Sequence, residues 1–439
     1  MTNVEKNRLN FSKYSKSGIN HLSFCIPHSA LGIGNSALSV AHFNIVGFRA
    51  AVAALEDTRL RGRPYAIAGG SGGRAVVWDI SPEALKANIR PGMALAAAER
   101  IVRDLEVIPP NPAAYQRANG AIEAVISRYA PAWQNDGGGN LFLDITGTRR
   151  IFGPPADCLC RVLNEIGEKI GLGAAAAAAS NKLVSKVASR TIRPQGLVEV
   201  PAGDEAAFLA HQDISLLPGM GPLLMRTLAV TGFREIGELA ALGDEEALAL
   251  FGKKGLLLRD AALGIDNSPV ADGGAHRVIG RQADFPEDVI DAATIRGALA
   301  SLVEHGGLEL RKEKLGSRTL RLAVVYNDGV EAKGLEKTKR LLVTDGELLA
   351  AAEGLYQKTV TRRIRIRSVG ISLEDLAPLG YEADLFEPPE ESKKHLLQQA
   401  LDRIQERYGV GSVMRGIVLA AAVPAASPVI SGLEPCRHR

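Results

Sequence analysis

The residues with the clearest chemical potential in this chain are cations set at a spacing of two. Arg363, Arg365 and Arg367 alternate with Ile364 and Ile366, and a period of two sends neighbouring side chains to opposite faces of a strand. The arginines would line one face and the isoleucines the core. Lys337 and Lys339 alternate similarly and are followed by Arg340. Two adjacent strands of this kind present a basic face to the phosphates of a duplex, which are held by charge without reading sequence. A solvated sheet face is the plainer alternative, since Glu331, Glu336 and Glu347 are interspersed. A second signal is LPGMG at 217–221. There Gly219 and Gly221 let backbone N–H groups approach a phosphate at a helix N-terminus. An ordinary helix–helix turn is the simpler account of an isolated GxG.

Two other motifs carry no chemistry. GGSGG at 69–73 lies between two short strands, and a phosphate cradle needs a helix opening directly after the glycines. Cys158 and Cys160 form a CxC in an apolar helical stretch, with no His pair and no second Cys pair in register. Zinc sites use CxxC-type pairs, so no metal site is expected. With only Cys25, Cys158, Cys160 and Cys436 in 439 residues, no disulfide framework is expected either.

Composition sets the frame for these groups. A chain of 439 residues, 46% hydrophobic and 23% charged, has material for about three domains. A mostly disordered chain and a collagen-like one are excluded. The formal charge of +3 is mild, so any electrostatic argument rests on local patches. Lys6, Arg8, Lys13 and Lys16 precede a stretch broken by Pro27, His28 and Gly32, so a secretory signal is not expected. The apolar run near 417–423 is far short of a membrane span. The expectation is a soluble, cytoplasmic protein with no membrane partner.

The patterning then predicts the elements. Residues 37–47 (ALSVAHFNIVG) read as a buried strand and 48–56 as a helix. Short strands follow at 64–69 and 75–78. Helices are expected over 112–128, 156–171 and 181–189, with a strand at 140–146 (NLFLDIT). The Ala-rich run 173–179 reads as strand or helix. Short helices fill 205–264, and DNSPVADGG at 266–274 has linker chemistry. Beyond it, a helix at 290–311, strands at 318–326 and 333–342, a helix at 345–357 and a strand at 363–372 make a compact α+β unit. A last helix covers 390–407, and no internal repeat is visible.

Five segments, in order, resemble the Y-family (translesion) DNA polymerases of the DinB/UmuC group: HFNIVGFRAAV at 42–52, NLFLDITG at 140–147, SNKLVSKVAS at 180–189 with RPQG at 193–196, LPGMG at 217–221 with TGFREIGEL at 231–239, and IGRQADFPED at 279–288. The resemblance implies an α+β fold shaped like a right hand. It assigns a leader to 1–38, expected to be disordered, a palm to 39–47 and 111–195, and fingers to 48–110. A helical thumb with a helix–hairpin–helix would occupy 196–268, a linker 269–276, a little finger 277–376 and a tail 377–439.

Nucleotidyl transfer by two metal ions needs anionic oxygen ligands. The resemblance implies two Asp in the first motif and an Asp-Glu pair in the second. Those positions read Asn44 and Val46, then Gly139 and Asn140. Neutral amides, a valine and a glycine offer nothing to offset divalent charge. Asp144 stands four residues along the strand from Asn140, about 13 Å at the usual rise. Asp136 precedes a triple-Gly turn, where only a bend would bring it inward. The fingers' implied triphosphate grips fall on Pro82 and Leu85, the sugar gate on Arg49 and a palm triphosphate Lys on Arg193. These losses, with LDITGTRRIFG at 143–153, resemble the ImuB-like branch, which keeps the polymerase shape without the catalytic site.

The expected function is a non-catalytic, polymerase-shaped protein that binds primer–template DNA and acts as an accessory or scaffold in translesion synthesis and DNA repair. No cofactor is expected under that reading. An active error-prone polymerase using Mg²⁺ and dNTPs is the enzyme alternative, and an interaction module without DNA binding is a third. Expected partners are DNA, an active DNA polymerase and other mutagenesis proteins, and the sliding clamp. The clamp peptide would be EADLF at 382–386, with Leu385 and Phe386 as apolar anchors.

Overall fold

The computed structural model describes residues 38–69, 75–220, 222–271, 278–379, 389–420 and 427–429. The expected leader (all but Leu38), the GGSGG tip beyond Gly69, Gly221 and the clamp-type peptide with Leu385 and Phe386 lie outside the described residues.

The palm is a five-stranded sheet built from distant segments. Its strands are β1 (Val40–Asn44), β5 (Ala132–Gly137), β6 (Asn140–Asp144), β7 (Ala175–Ala179) and β8 (Gly196–Glu199), in the order β5-β6-β1-β7-β8. Strand β1 is central and pairs antiparallel with both β6 and β7. Odd-numbered Ala41, Phe43, Ile45, Leu141 and Leu143 enter one core with the helices Pro112–Ile126 and Pro155–Ile170. In β1 and β6 even-numbered side chains such as His42 and Phe142 face the helix Lys182–Thr191, which begins where Asn181 accepts the Val184 N–H at 3.0 Å. The five alanines of β7, open to either reading in sequence, form a fully buried strand. Alanine favours helix, but flanking strands supply the backbone partners here. Strand β8 pairs parallel with β7, so the palm extends beyond residue 195 and the expected thumb boundary at 196 moves past Glu199.

The fingers carry the sheet β3-β2-β4, from β2 (Tyr65–Gly69), β3 (Val76–Ile80) and β4 (Glu106–Ile108). They are joined to the palm by helix α1 (Phe48–Glu56). The thumb is a set of short helices between Glu205 and Ala262 around Leu209, Leu228, Ile236 and Leu239. Cys160 is disulfide-bonded, a single bond that the sparse cysteines did not lead us to expect. Cys158 is a free buried thiol, pushed up to about 11 by burial.

The little finger is a second five-stranded sheet, β11-β10-β12-β9-β13. Its strands are β9 (Ile279–Val289), β10 (Leu315–Tyr326), β11 (Glu331–Leu342), β12 (Ile366–Pro378) and β13 (Ser427–Val429). Helices Ala292–Lys312 and Asp345–Thr359 cover one face, burying Leu320, Leu322, Val324, Ile371 and Leu373. The tail helix Pro389–Tyr408 docks on that helical layer. Arg311, largely buried, donates to both Asp402 carboxylate oxygens at 2.6 and 2.8 Å and to Asp345 at 2.8 Å. No helix among the described residues is long and apolar enough to cross a membrane.

Candidate functional site

Strands β1 and β6 lie in register with Asn44 directly opposite Asn140. The four positions at which the polymerase resemblance implies metal ligands therefore converge. Asn44 Nδ2 donates to Asn140 Oδ1 at 2.8 Å, and Arg193 Nε donates to Asn44 Oδ1 at 2.6 Å. Asn140 Nδ2 donates in turn to the Gly137 carbonyl at 3.2 Å. Gly139 holds φ +79° and sits against Ile45, whose N–H donates to the Gly139 carbonyl at 2.8 Å. A Cβ at Gly139 would stand 2.7 Å from the Ile45 carbonyl oxygen. Val46 is exposed at the turn into α1.

The acids nearby point elsewhere. Asp136 on β5 accepts from Gln134 Nε2 at 2.6 Å and pairs with Lys186 at 3.3 Å. Asp144 stands opposite Val40, at the far end of β1, and accepts the Thr146 N–H at 2.9 Å. Among the described residues no group of three or more His, Cys, Asp or Glu could hold a metal ion. The two magnesium ions that the resemblance implies therefore do not fit these residues. Hard divalent cations take several anionic oxygens, and this pocket offers two amides and a guanidinium.

Sequence reasoning named Arg193 but missed the cations that gather with it. Lys182, Lys186 and Arg190 recur at every fourth residue on the face of their helix that lies over β6 and β1, a stripe legible from spacing alone. Lys182 and Lys186 stand 5.0 and 5.2 Å from the Phe142 ring centre, and Lys182 donates to Gln134 Oε1 at 2.7 Å. Arg190 reaches the Leu216 carbonyl at 2.8 Å. Burial, then the charges of Lys186, Arg190 and Arg193, hold the His42 imidazole well below its usual range. His42 Nδ1 lies 2.7 Å from Ser189 Oγ. Burial and Arg190 bring Arg193 down to about 10, so it is charged at neutral pH.

Across the fingers, Asp79 of β3 is a second feature the sequence did not disclose. Its carboxylate accepts the N–H groups of Arg49 at 2.9 Å and Ala50 at 3.4 Å, at the N-terminus of α1. That terminus favours an anion, and the chain supplies its own. Arg49, the expected sugar gate, lies over the Trp78 ring at 5.1 Å. Pro82 and Leu85 fall in the short helix Pro82–Lys86, which Ser81 caps.

The little-finger cations depart from expectation. Lys337 and Lys339 are exposed on edge strand β11, followed by exposed Arg340. Strand β10 separates β11 from β12, so these cations and the arginines do not share adjacent strands. Arg363 and Arg365 precede β12 and lie outside it. The arginine–isoleucine alternation imitates a strand, but β10 ends at Tyr326, opposite Ile366; beyond that pair the Arg365 carbonyl accepts the Asn327 N–H at 2.9 Å without extending the strand. Arg367 lies where the register shifts, and it donates to the Asn327 carbonyl at 2.6 Å. In the thumb, Gly219 holds φ +85° just before the helix Pro222–Thr231, with nothing near its Cβ position.

Residues 44–190 match the model of the impB/mucB/samB family, and 276–384 match that of its C-terminal domain. DNA polymerase IV of Desulfatibacillum aliphaticivorans is 31% identical over 377 residues, covering 85% of this chain and 95% of that one. The chain belongs to the Y-family of DNA polymerases. A second family relative, DNA polymerase IV of Halorhodospira halophila, is 30% identical and covers 79% of this chain and 98% of its own. The fold agrees with solved Y-family structures at lower identity. A Dbh–Dpo4 chimera gives a TM-score of 0.66 and DinB from Sulfolobus solfataricus 0.58. Each is 21% identical and covers 77% of this chain and 99% of its own. The α+β hand with palm, fingers, thumb and little finger is thus the architecture of this chain.

Proposed function

We propose that this Y-family chain is a non-catalytic DNA-binding member, an accessory or scaffold in translesion synthesis of the ImuB-like kind. One observation carries the reading. At the place where a polymerase holds two metal ions, Asn44 and Asn140 bond to one another and to Arg193. Neutral amides cannot offset two divalent cations, and Asp136 and Asp144 are engaged elsewhere.

DNA contact in this proposal is sequence-independent. Lys337, Lys339 and Arg340 on β11 and Arg363 and Arg365 before β12 meet backbone phosphates, while Arg367 orders the turn at Asn327. The Gly219 turn brings the thumb backbone to a phosphate, with Gly221 completing the motif. Leu385 and Phe386 anchor the chain on the sliding clamp, and an active polymerase performs the synthesis.

The purified chain should bind primed DNA with strong salt dependence and extend no primer with Mg²⁺ or Mn²⁺. Relatives along almost their whole length carry the name DNA polymerase IV, and that observation favours a second reading, an active error-prone polymerase. Metal-dependent extension lost on changing Asp136 or Asp144 would establish the second reading and remove the first.

A further inference from the structure

We infer that the tail helix Pro389–Tyr408 is a docking arm whose outward face takes an acidic amphipathic helix of a partner protein. The inference is independent of whether the palm is catalytic.

The helix sits with its polar side in and its apolar side out. Gln398 and Gln405 are only 7% and 9% exposed, while Leu396, Leu397 and Tyr408 are 63%, 62% and 68% exposed. A surface helix held by its apolar stripe shows the reverse. Here hydrogen bonds fix the rotation instead. Gln398 Oε1 accepts the Asp345 N–H at 3.2 Å, and its Nε2 donates to carboxylate oxygens of Asp345 and Asp402, each at 3.0 Å. Arg311 grips Asp402 with two bonds, and Gln405 Nε2 donates to the Val413 carbonyl at 3.0 Å. Rolling the leucines inward would break these bonds and strand buried polar groups, which costs more than the exposed apolar surface recovers only if the outward face is covered by something else. The little finger thus holds the helix so that its leucines stay available.

The outward face has a sign as well as a stripe. Leu397, Ile404 and Tyr408 follow at steps of seven and four residues, a row about 16 Å long. Leu396, Arg403 and Arg407 make the next row, and Lys393 stands one turn before Leu397; all of these side chains are exposed. Lys393, Arg403 and Arg407 have no ion-pair partner among the described residues, and Arg407 lies over the Tyr408 ring at 5.5 Å. The described acids of the helix fall elsewhere. Asp402 turns inward to Arg311, and Glu406, nine residues after Leu397, lies on the opposite side of the helix. An exposed apolar patch rimmed by charge is an interaction surface. DNA phosphates would answer the cations and leave the leucines idle. A second copy presenting the same face would set cations against cations. A helix with an apolar row flanked by carboxylates answers both features, by the packing of one helix along another.

The test uses the full chain and two labelled designed peptides, read by fluorescence anisotropy. One is a helix with a leucine row flanked by glutamates, and its twin has lysines in place of the glutamates. The wild type should bind the glutamate peptide about tenfold more tightly than the lysine twin. Leu396→Gln with Leu397→Gln, at exposed positions and with a good helix former, should weaken that binding about tenfold. Arg403→Glu with Arg407→Glu should reverse the preference, so that the lysine twin binds more tightly, a gain that misfolding does not produce. Equal affinity of the wild type for the two peptides, or no binding of either, overturns the inference. So does a charge-reversed chain that keeps the wild-type preference. Binding of primed DNA, of phosphatidylglycerol vesicles or of a second copy in sedimentation velocity that is lost with the Leu396–Leu397 pair would assign the face to that occupant and overturn the inference equally.

Discussion

Adding one methyl group at Gly139 tests whether the palm hairpin has been rebuilt around the absence of a side chain. Two costs would arise there. Residue 139 holds φ +79°, and a left-handed backbone costs a residue with a Cβ about 1–2 kcal/mol. The new Cβ would also lie 2.7 Å from the Ile45 carbonyl oxygen, 2.8 Å from Ile45 Cβ and 3.2 Å from Phe48 Cβ. The first of these is backbone in the central strand's exit and cannot swing away, so overpacking adds about 1–3 kcal/mol. Gly147 supplies the internal control. Its φ is +76°, yet nothing lies within 4 Å of its Cβ position. Gly147→Ala should therefore cost about 1–2 kcal/mol, and Gly139→Ala about 2–5 kcal/mol. Urea unfolding followed by tryptophan fluorescence reads the difference, because Trp133 sits opposite Leu143 in this hairpin. Equal midpoints for the two variants would refute the reasoning. The consequence reaches function: restoring carboxylates at residues 44, 46, 139 and 140 together should yield a less stable protein, not a working polymerase.

Three further outcomes are expected. Arg311→Met strands Asp345 and Asp402 as uncompensated buried charges and should destabilise the little finger by about 3–5 kcal/mol; a calorimetric scan that leaves its transition unmoved would contradict this. His42 is held neutral in the fold while the unfolded imidazole takes up a proton near pH 6.5. The unfolded state then binds more protons, so stability should fall as pH drops below about 6.5, down to the depressed folded-state value, with His42→Gln flattening the profile in urea melts. Lys337→Ala with Lys339→Ala should lower the log–log salt slope of primed-DNA binding by about 0.9 for each phosphate that is no longer neutralised; an unchanged slope would locate the DNA face elsewhere.

Much of the architecture was readable because its signals are local. The β1 and β6 patterns and the long helix Ala292–Lys312 need only neighbouring residues. The alanines of β7 were ambiguous because only flanking strands decide their state. Strand β12 starts later than its alternation suggests because its partner β10 ends at Tyr326. β13 is an edge segment of three residues whose pairing with β9 no period could announce. Asp79 was invisible as a cap because the N–H groups it accepts lie about thirty residues away.

The amino-acid sequence by itself determined that no carboxylate stands at residues 44, 46, 139 or 140, since that is a matter of side-chain type. Only the tertiary structure decided what took their place. Strand pairing brings Asn44 onto Asn140, and the chain leaving the palm helix returns Arg193 to Asn44 across 149 residues. Charge is written residue by residue, but the field it makes depends on which distant segments the fold packs together.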